Sequence, residues 1–147
     1  MTNEQLIAAA RAAALKAYAP YSRFLVGCAI LSVDGRLVTG ANMENACYRL
    51  GICAEQSGLA AAQHAFGLEN VAAIAVTGGA ADGGELRGES VVTPCGGCRQ
   101  AILEAAQLGG REVEIICSSG DGRRSETHRI GDLLPHGFGP ANLADAG

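Results

Sequence analysis

The 147 residues contain no tryptophan, and three Phe with three Tyr bring the aromatic content to only 4%. A protein that binds single-stranded nucleic acid stacks bases on aromatics in a basic groove, and both parts are scarce. Eleven basic residues face fifteen acidic ones, a formal net charge of -4, so no general field draws in a polyanion and no nucleic-acid partner is expected. Arg11, Lys16 and the run Arg123-Arg124 read as solvated charges. No apolar run approaches the roughly 20 residues that a bilayer-spanning helix needs. The opening Met1-Thr2-Asn3-Glu4-Gln5 is polar and lacks the basic-then-apolar pattern of an export signal. A cytoplasmic protein without a membrane partner is the expectation.

What the chain holds in abundance is small and aliphatic. Hydrophobic residues make up 48% and charged ones 18%, so the core is expected to be built mainly from Ala, Val, Ile and Leu. The length suits a single domain over residues 1–147, and so small and apolar a chain has reason to hide surface between subunits.

Thr2 with Gln5 three residues on forms a capping-box pattern. Leu6, Ile7, Ala10, Ala14 and Leu15 then recur at helical spacing, predicting a helix to about Tyr18 that Pro20 ends. Leu25 to Val33 is an apolar, branched run, Asp34-Gly35 a hairpin turn, and Arg36 to Ala41 a returning strand. A polar loop over 42–52 leads to a second helix from Cys53 to Phe66, stopped by Gly67. Val71 to Val76 reads as a buried strand and Gly78 to Gly88 as a flexible surface connection. Pro94 suits the entry to a third helix, Cys95 to about Leu108, stopped by Gly109-Gly110. Val113 to Cys117 is another strand, Asp121-Gly122 a turn, Thr127 to Ile130 a short strand, and Gly131 to Leu134 a turn of helix. This alternation predicts an α/β fold in three layers, α/β/α, around a central mixed sheet.

Six cysteines without an export signal point to thiol or metal chemistry, not to a disulfide framework. Three of them stand in Cys53-Ala54-Glu55 and Pro94-Cys95-Gly96-Gly97-Cys98. Alone, a Cys-x-x-Cys pair suits half of a structural zinc site or a redox pair. The upstream Cys-Ala-Glu shifts that balance. A zinc ion that does chemistry takes three protein ligands and keeps its fourth position for water, whereas a structural ion closes with a fourth Cys or His. Cys53, Cys95 and Cys98 supply three thiolates, and Glu55 is placed to carry protons instead of ligating. The pattern matches that of zinc deaminases. Cysteines at two helix starts also predict that helix dipoles lower their pKa values. Cys28, Cys47 and Cys117 read as small buried hydrophobes, and His64, His128 and His136 show no metal spacing.

The resemblance extends beyond the motif. From Tyr21-Ser22-Arg23-Phe24 and Val26-Gly27, through Asn42-Met43-Glu44-Asn45-Ala46-Cys47-Tyr48, to Pro94-Cys95-Gly96-Gly97-Cys98-Arg99-Gln100, the chain resembles the small homotetrameric cytidine deaminases. Leu133-Leu134-Pro135 and Phe138-Gly139-Pro140 are similar to that family's C-terminal end. The resemblance implies the family's α/β/α fold, one zinc ion per chain, and release of ammonia from cytidine and deoxycytidine in pyrimidine salvage. It further implies that Phe24 packs on the pyrimidine, that Asn42 and Glu44 bond ribose hydroxyls, and that Ala54 contacts substrate. Ala46, Tyr48 and Phe138 would serve a neighbour's site in a homotetramer, the tail from about residue 135 reaching across.

One position departs from the family pattern. Gln56 stands where the family commonly has Arg after Cys-Ala-Glu, leaving Arg99 as the cation implied to donate to ligand sulfurs. Three thiolates on a zinc dication carry net negative charge, so losing one cation bears on the ion's strength as a Lewis acid. Deaminases of blasticidin or of modified cytosines share the constellation, although the Asn42-x-Glu44 pair favours a plain ribose. A zinc-stabilised oligomer without catalysis shares the ligands but gives Glu55 no purpose.

Overall fold

The computed structural model describes residues 1–146. The chain opens with α1 (Asn3–Ala14), whose start is fixed by the predicted capping box: Gln5 N donates to Thr2 Oγ1 at 3.1 Å and Thr2 N to Gln5 Oε1 at 2.9 Å. The helix stops short of Tyr18. Lys16 and Ala17 donate to the carbonyls three residues back, on Ala13 and Ala14, which tightens the last turn and leaves Leu15 exposed.

A hairpin follows, β1 (Leu25–Ser32) and β2 (Leu37–Ala41). β1 runs antiparallel to both β2 and β3 (Val71–Asp82), β3 runs parallel to β5 (Glu114–Ser119), and β6 (Ser125–Arg129) is antiparallel to β5. The order β2-β1-β3-β5-β6 is the mixed sheet that the alternating elements predict. Strand alternation sorts the side chains into two layers. Cys28, Ile30, Ile74, Val76, Ile115 and Cys117 pack with α2 (Ala54–Ala65) and α3 (Gly96–Gly109). Ala29, Ala73, Ala75 and Ile116 meet Leu6, Ile7 and Ala10 of α1.

Two glycines set how closely the helices approach. A Cβ at Gly27 would lie 2.8 Å from Ala14 Cα, so α1 rests against bare backbone there. A Cβ at Gly40 would lie 2.6 Å from the Ala54 carbonyl oxygen. That second contact fixes where α2 begins, and with it Cys53.

The segment Gly78 to Gly88 is not the flexible connection that its glycines suggest. Gly78 and Gly79 continue β3 by pairing with Val26 and Leu25, and β4 (Glu85–Arg87) folds back on Ala80–Asp82. Gly83 and Gly84 take φ of 59° and 82°, the two positive values that a type I′ hairpin turn needs. Leu86 is buried and anchors the hairpin. Arg11, read from sequence as a solvated charge, is half-buried beside it: its guanidinium donates to Gly120 O at 2.8 Å and Leu86 O at 3.4 Å. The chain closes with α4 (Ile130–Leu133) and α5 (Pro140–Ala146), the latter where only a tail was predicted. Ala141 N ties α5 to α3 through Gln107 Oε1 at 2.9 Å. Among the described residues, no helix is long and apolar enough to cross a membrane.

Candidate metal centre and substrate pocket

Cys53 is the N-cap of α2 and Cys95 the N-cap of α3, with Cys98 in the first turn of α3. Their three sulfur atoms lie within 4.8 Å of one another. Zinc–sulfur bonds of about 2.3 Å in a tetrahedron put sulfurs roughly 3.8 Å apart, a spacing these side chains reach with small adjustments. The electrostatics differ from the expectation. Only Cys95 has its thiol pKa lowered, chiefly by the Cys98 N–H directed at its sulfur. Burial pushes Cys53 and Cys98 up, and negative charge on Glu55 adds to the effect at both. Desolvation thus outweighs the helix dipoles at the two more enclosed sulfurs. Three thiols gathered where two resist ionisation suit a dication, since coordination deprotonates a thiol outright.

Glu55 is 4% exposed, and its burial raises the carboxyl pKa above the usual carboxylate range. It shares a cavity of about 340 Å³ with Cys53, Cys95, Ala54, Phe24, Asn42 and Glu44. Sequence spacing thus identifies residues that the fold does bring together. Val92 and Thr93 line the same cavity and carry no motif that would announce them.

Arg99, the cation implied to donate to ligand sulfurs, and the neutral Gln56 behave differently from each other. Gln56 Nε2 lies 3.9 Å from Cys98 Sγ and donates to it. Arg99 Nε donates to Pro94 O at 2.8 Å and Arg99 Nη1 to Leu133 O at 3.0 Å, not to a ligand sulfur. One residue beyond Cys98 is about 100° round the helix, which turns Arg99 toward the chain entering α3 and toward α4.

Asn42 and Glu44 are already engaged with the chain. Asn42 Oδ1 accepts from Val26 N at 2.8 Å and Nδ2 donates to Phe24 O at 2.9 Å. Glu44 Oε1 accepts from Tyr21 N at 2.9 Å and Ser22 N at 3.1 Å, and Oε2 accepts from the Ser22 hydroxyl. That hydroxyl, followed by the Ser22 N–H, holds the Glu44 carboxyl below the usual carboxylate range. Ser22 is a site neighbour that sequence reasoning missed. Its signal is local: Phe24 N donates to Ser22 Oγ at 3.1 Å, a bond that a Ser two residues upstream readily forms in a turn.

Residues 1–110 match the family model for the cytidine and deoxycytidylate deaminase zinc-binding region. The chain belongs to that family. It is similar to the cytidine deaminase of Mycobacterium tuberculosis, 43% identical over 131 residues that cover 89% of this chain and 85% of the relative. A cytidine deaminase of Sporosarcina psychrophila is 36% identical over 146 residues, 99% of this chain and 98% of the relative. The crystal structure of cytidine deaminase from Burkholderia pseudomallei aligns with a TM-score of 0.81 at 41% identity, covering 94% of this chain and 100% of that one. The family model is that of a zinc-binding region, and Cys53, Cys95 and Cys98 form a cluster that could hold the ion.

Three positions that carry the family resemblance lie outside the cavity. Ala46 is exposed, and Tyr48, 77% exposed, meets Tyr21 edge-on, ring centroids 5.6 Å apart. Phe138 is 61% exposed, its carbonyl held by Gln100 Nε2 at 2.7 Å. Cys28 and Cys117 are buried as expected, and burial pushes their thiols up to about 12 and about 11. Cys47, expected to be buried, is exposed because it begins the surface turn Tyr48–Leu50. Among the described residues no histidine joins the metal cluster.

Proposed function

We propose that this protein is a zinc-dependent hydrolytic deaminase that converts cytidine and deoxycytidine to uridine and deoxyuridine, releasing ammonia, in cytoplasmic pyrimidine salvage. The observation that carries the reading is a buried glutamate lining the same cavity as Cys53 and Cys95 of the three-thiol cluster. Zinc held by Cys53, Cys95 and Cys98 supplies Lewis acidity that brings a water's pKa from about 15.7 toward neutrality. Glu55 takes a proton from the attacking water and delivers it to N3 of the cytosine ring as oxygen adds at C4. It then takes the second proton from the new C4 hydroxyl and gives it to the amine, which departs as ammonia as the C4–N bond breaks and the C4 carbonyl forms. A carboxyl raised by burial is suited to both halves, because its pKa lies closer to the working pH.

Phe24 packs on the pyrimidine beside Ala54, and Asn42 and Glu44 take the ribose. Their remaining hydrogen-bonding capacity supports this. A carboxylate offers about four lone-pair positions, and the chain fills two on Oε1 and one on Oε2, leaving one acceptor. Asn42 keeps one N–H and one lone pair after its bonds to Phe24 and Val26. Sugar hydroxyls both donate and accept, so the pair matches them. Among the described residues, the cavity lining contains no Lys or Arg, which favours an uncharged nucleoside over a nucleotide.

Residues 1–147 serve as one catalytic domain, and the active unit is a homotetramer. Ala46, Tyr48 and Phe138 then reach a neighbour's site, which accounts for two aromatics standing in solvent on an isolated chain. The test offers cytidine, deoxycytidine, cytosine, cytidine monophosphate and blasticidin S separately to purified protein, with zinc content and ammonia measured on the same samples. Ammonia from the two nucleosides alone is expected. Ammonia only from blasticidin S, or none from any zinc-loaded sample, overturns the reading.

A further inference from the structure

We infer that Ser22 is a positioning residue for ribose recognition: its hydroxyl fixes the Glu44 carboxylate and ties it to the turn that carries Phe24. The inference rests on the deaminase reading and deepens it. Ser22 Oγ accepts from Phe24 N at 3.1 Å and donates to Glu44 Oε2. A serine hydroxyl has one proton to give, so the bond arriving from Phe24 N leaves that proton for the carboxylate. Glu44 Oε1 is held at the same time by two consecutive backbone N–H groups, of Tyr21 and Ser22. Both carboxylate oxygens are thus pinned by one short stretch of chain, and rotation of the group breaks bonds at each end.

That stretch is itself under constraint. Arg23 has φ of 57°, a left-handed conformation that costs a non-glycine residue free energy. The bonds on either side offset the cost: Arg23 N donates to Ala19 O at 2.9 Å, and Phe24 is held at its N–H by Ser22 and at its carbonyl by Asn42. Phe24, Asn42 and Glu44 therefore form one hydrogen-bonded unit. Ser22 joins two of its members without lining the cavity that holds the thiol cluster. Removing its hydroxyl frees Oε2 to rotate, so a sugar hydroxyl must then order the carboxylate as it binds.

Ser22 is exposed, so its substitution leaves the core intact. Ser22→Ala is expected to raise KM for cytidine about 10-fold while kcat stays within about 2-fold, since the change falls on binding. Ser22→Thr keeps the hydroxyl and is expected to restore KM to within about 3-fold. In a Glu44→Ala background, adding Ser22→Ala should change kcat/KM by less than about 2-fold, because the group it positions is gone. Carbon-13 NMR of the Glu44 carboxyl should show its titration midpoint rising in Ser22→Ala. An unchanged KM, an equal loss in the Glu44→Ala background, or a Glu44 midpoint that does not move overturns the inference. Wild-type protein that releases no ammonia from cytidine overturns the deaminase reading and the recognition role together. The carboxyl titration decides the Ser22–Glu44 bond in either case.

Discussion

Gln56 gives the thiol cluster a neutral donor, its Nε2 3.9 Å from Cys98 Sγ, while Arg99 is committed to the carbonyls of Pro94 and Leu133. In a zinc-loaded centre the charge at Cys98 would therefore be offset by an amide dipole and not by the Arg99 guanidinium. Gln56→Ala is expected to speed zinc loss to a chelator by about 10-fold, within the range that partners of metal ligands contribute. Release at the wild-type rate would show that the amide holds nothing. At the opposite end of the molecule, the Ser32 hydroxyl and then Arg36 hold the Asp34 carboxyl below its ordinary range. Because its folded pKa lies below the unfolded value, the stabilisation is present above about pH 4 and is lost as pH falls through the folded pKa. Asp34→Asn should therefore lower Tm more at about pH 6 than at about pH 2. Thermal melts that shift equally at both values would assign the effect to the shape of the turn instead of to charge.

The metal centre depends on where two helices begin, and Gly40 sets one of them by admitting the Ala54 carbonyl against bare backbone. Gly40→Ala forces backbone apart and is expected to cost about 1–3 kcal/mol in urea denaturation. It should also weaken zinc retention, because Cys53 caps the displaced helix. A variant with wild-type stability and zinc content would contradict this packing. Elements written in local chemistry are legible in the sequence: the Thr2–Gln5 capping box, the Asp34-Gly35 turn, and the glycines that end α2 and α3. The positions of Cys53, Glu55, Cys95 and Cys98 are legible for the same reason, since each is fixed by spacing from a helix start. What depends on distant partners is not. Gly78 and Gly79 have poor strand propensity and enter β3 through pairing with β1, some fifty residues earlier. Arg99 turns toward a carbonyl on α4, and Glu44 is held by Ser22 across a hairpin. Cys47 lies beside apolar neighbours, yet those neighbours are themselves on the surface.

On the scale of the whole molecule, Tyr18, Tyr21, Met43, Tyr48, Leu50 and Phe138 leave apolar surface exposed, which a homotetramer with shared sites would cover. Light scattering should give the mass of four chains. Mixing Glu55→Ala subunits with Tyr48→Ala or Phe138→Ala subunits should restore part of the activity, because mixed assemblies contain sites with both contributions intact. A fully active monomer would rule sharing out. Zinc dependence and the proton role of Glu55 meet in one measurement: zinc is titrated into metal-free protein while bound metal and ammonia from cytidine are followed together, in wild-type and Glu55→Gln. Wild-type turnover should rise in proportion to bound zinc and saturate near about one ion per chain. Glu55→Gln should bind the same zinc and release ammonia at least about 100-fold more slowly. Turnover independent of zinc, or a zinc-loaded Glu55→Gln as active as wild type, would contradict a reaction run by this glutamate at this thiolate centre.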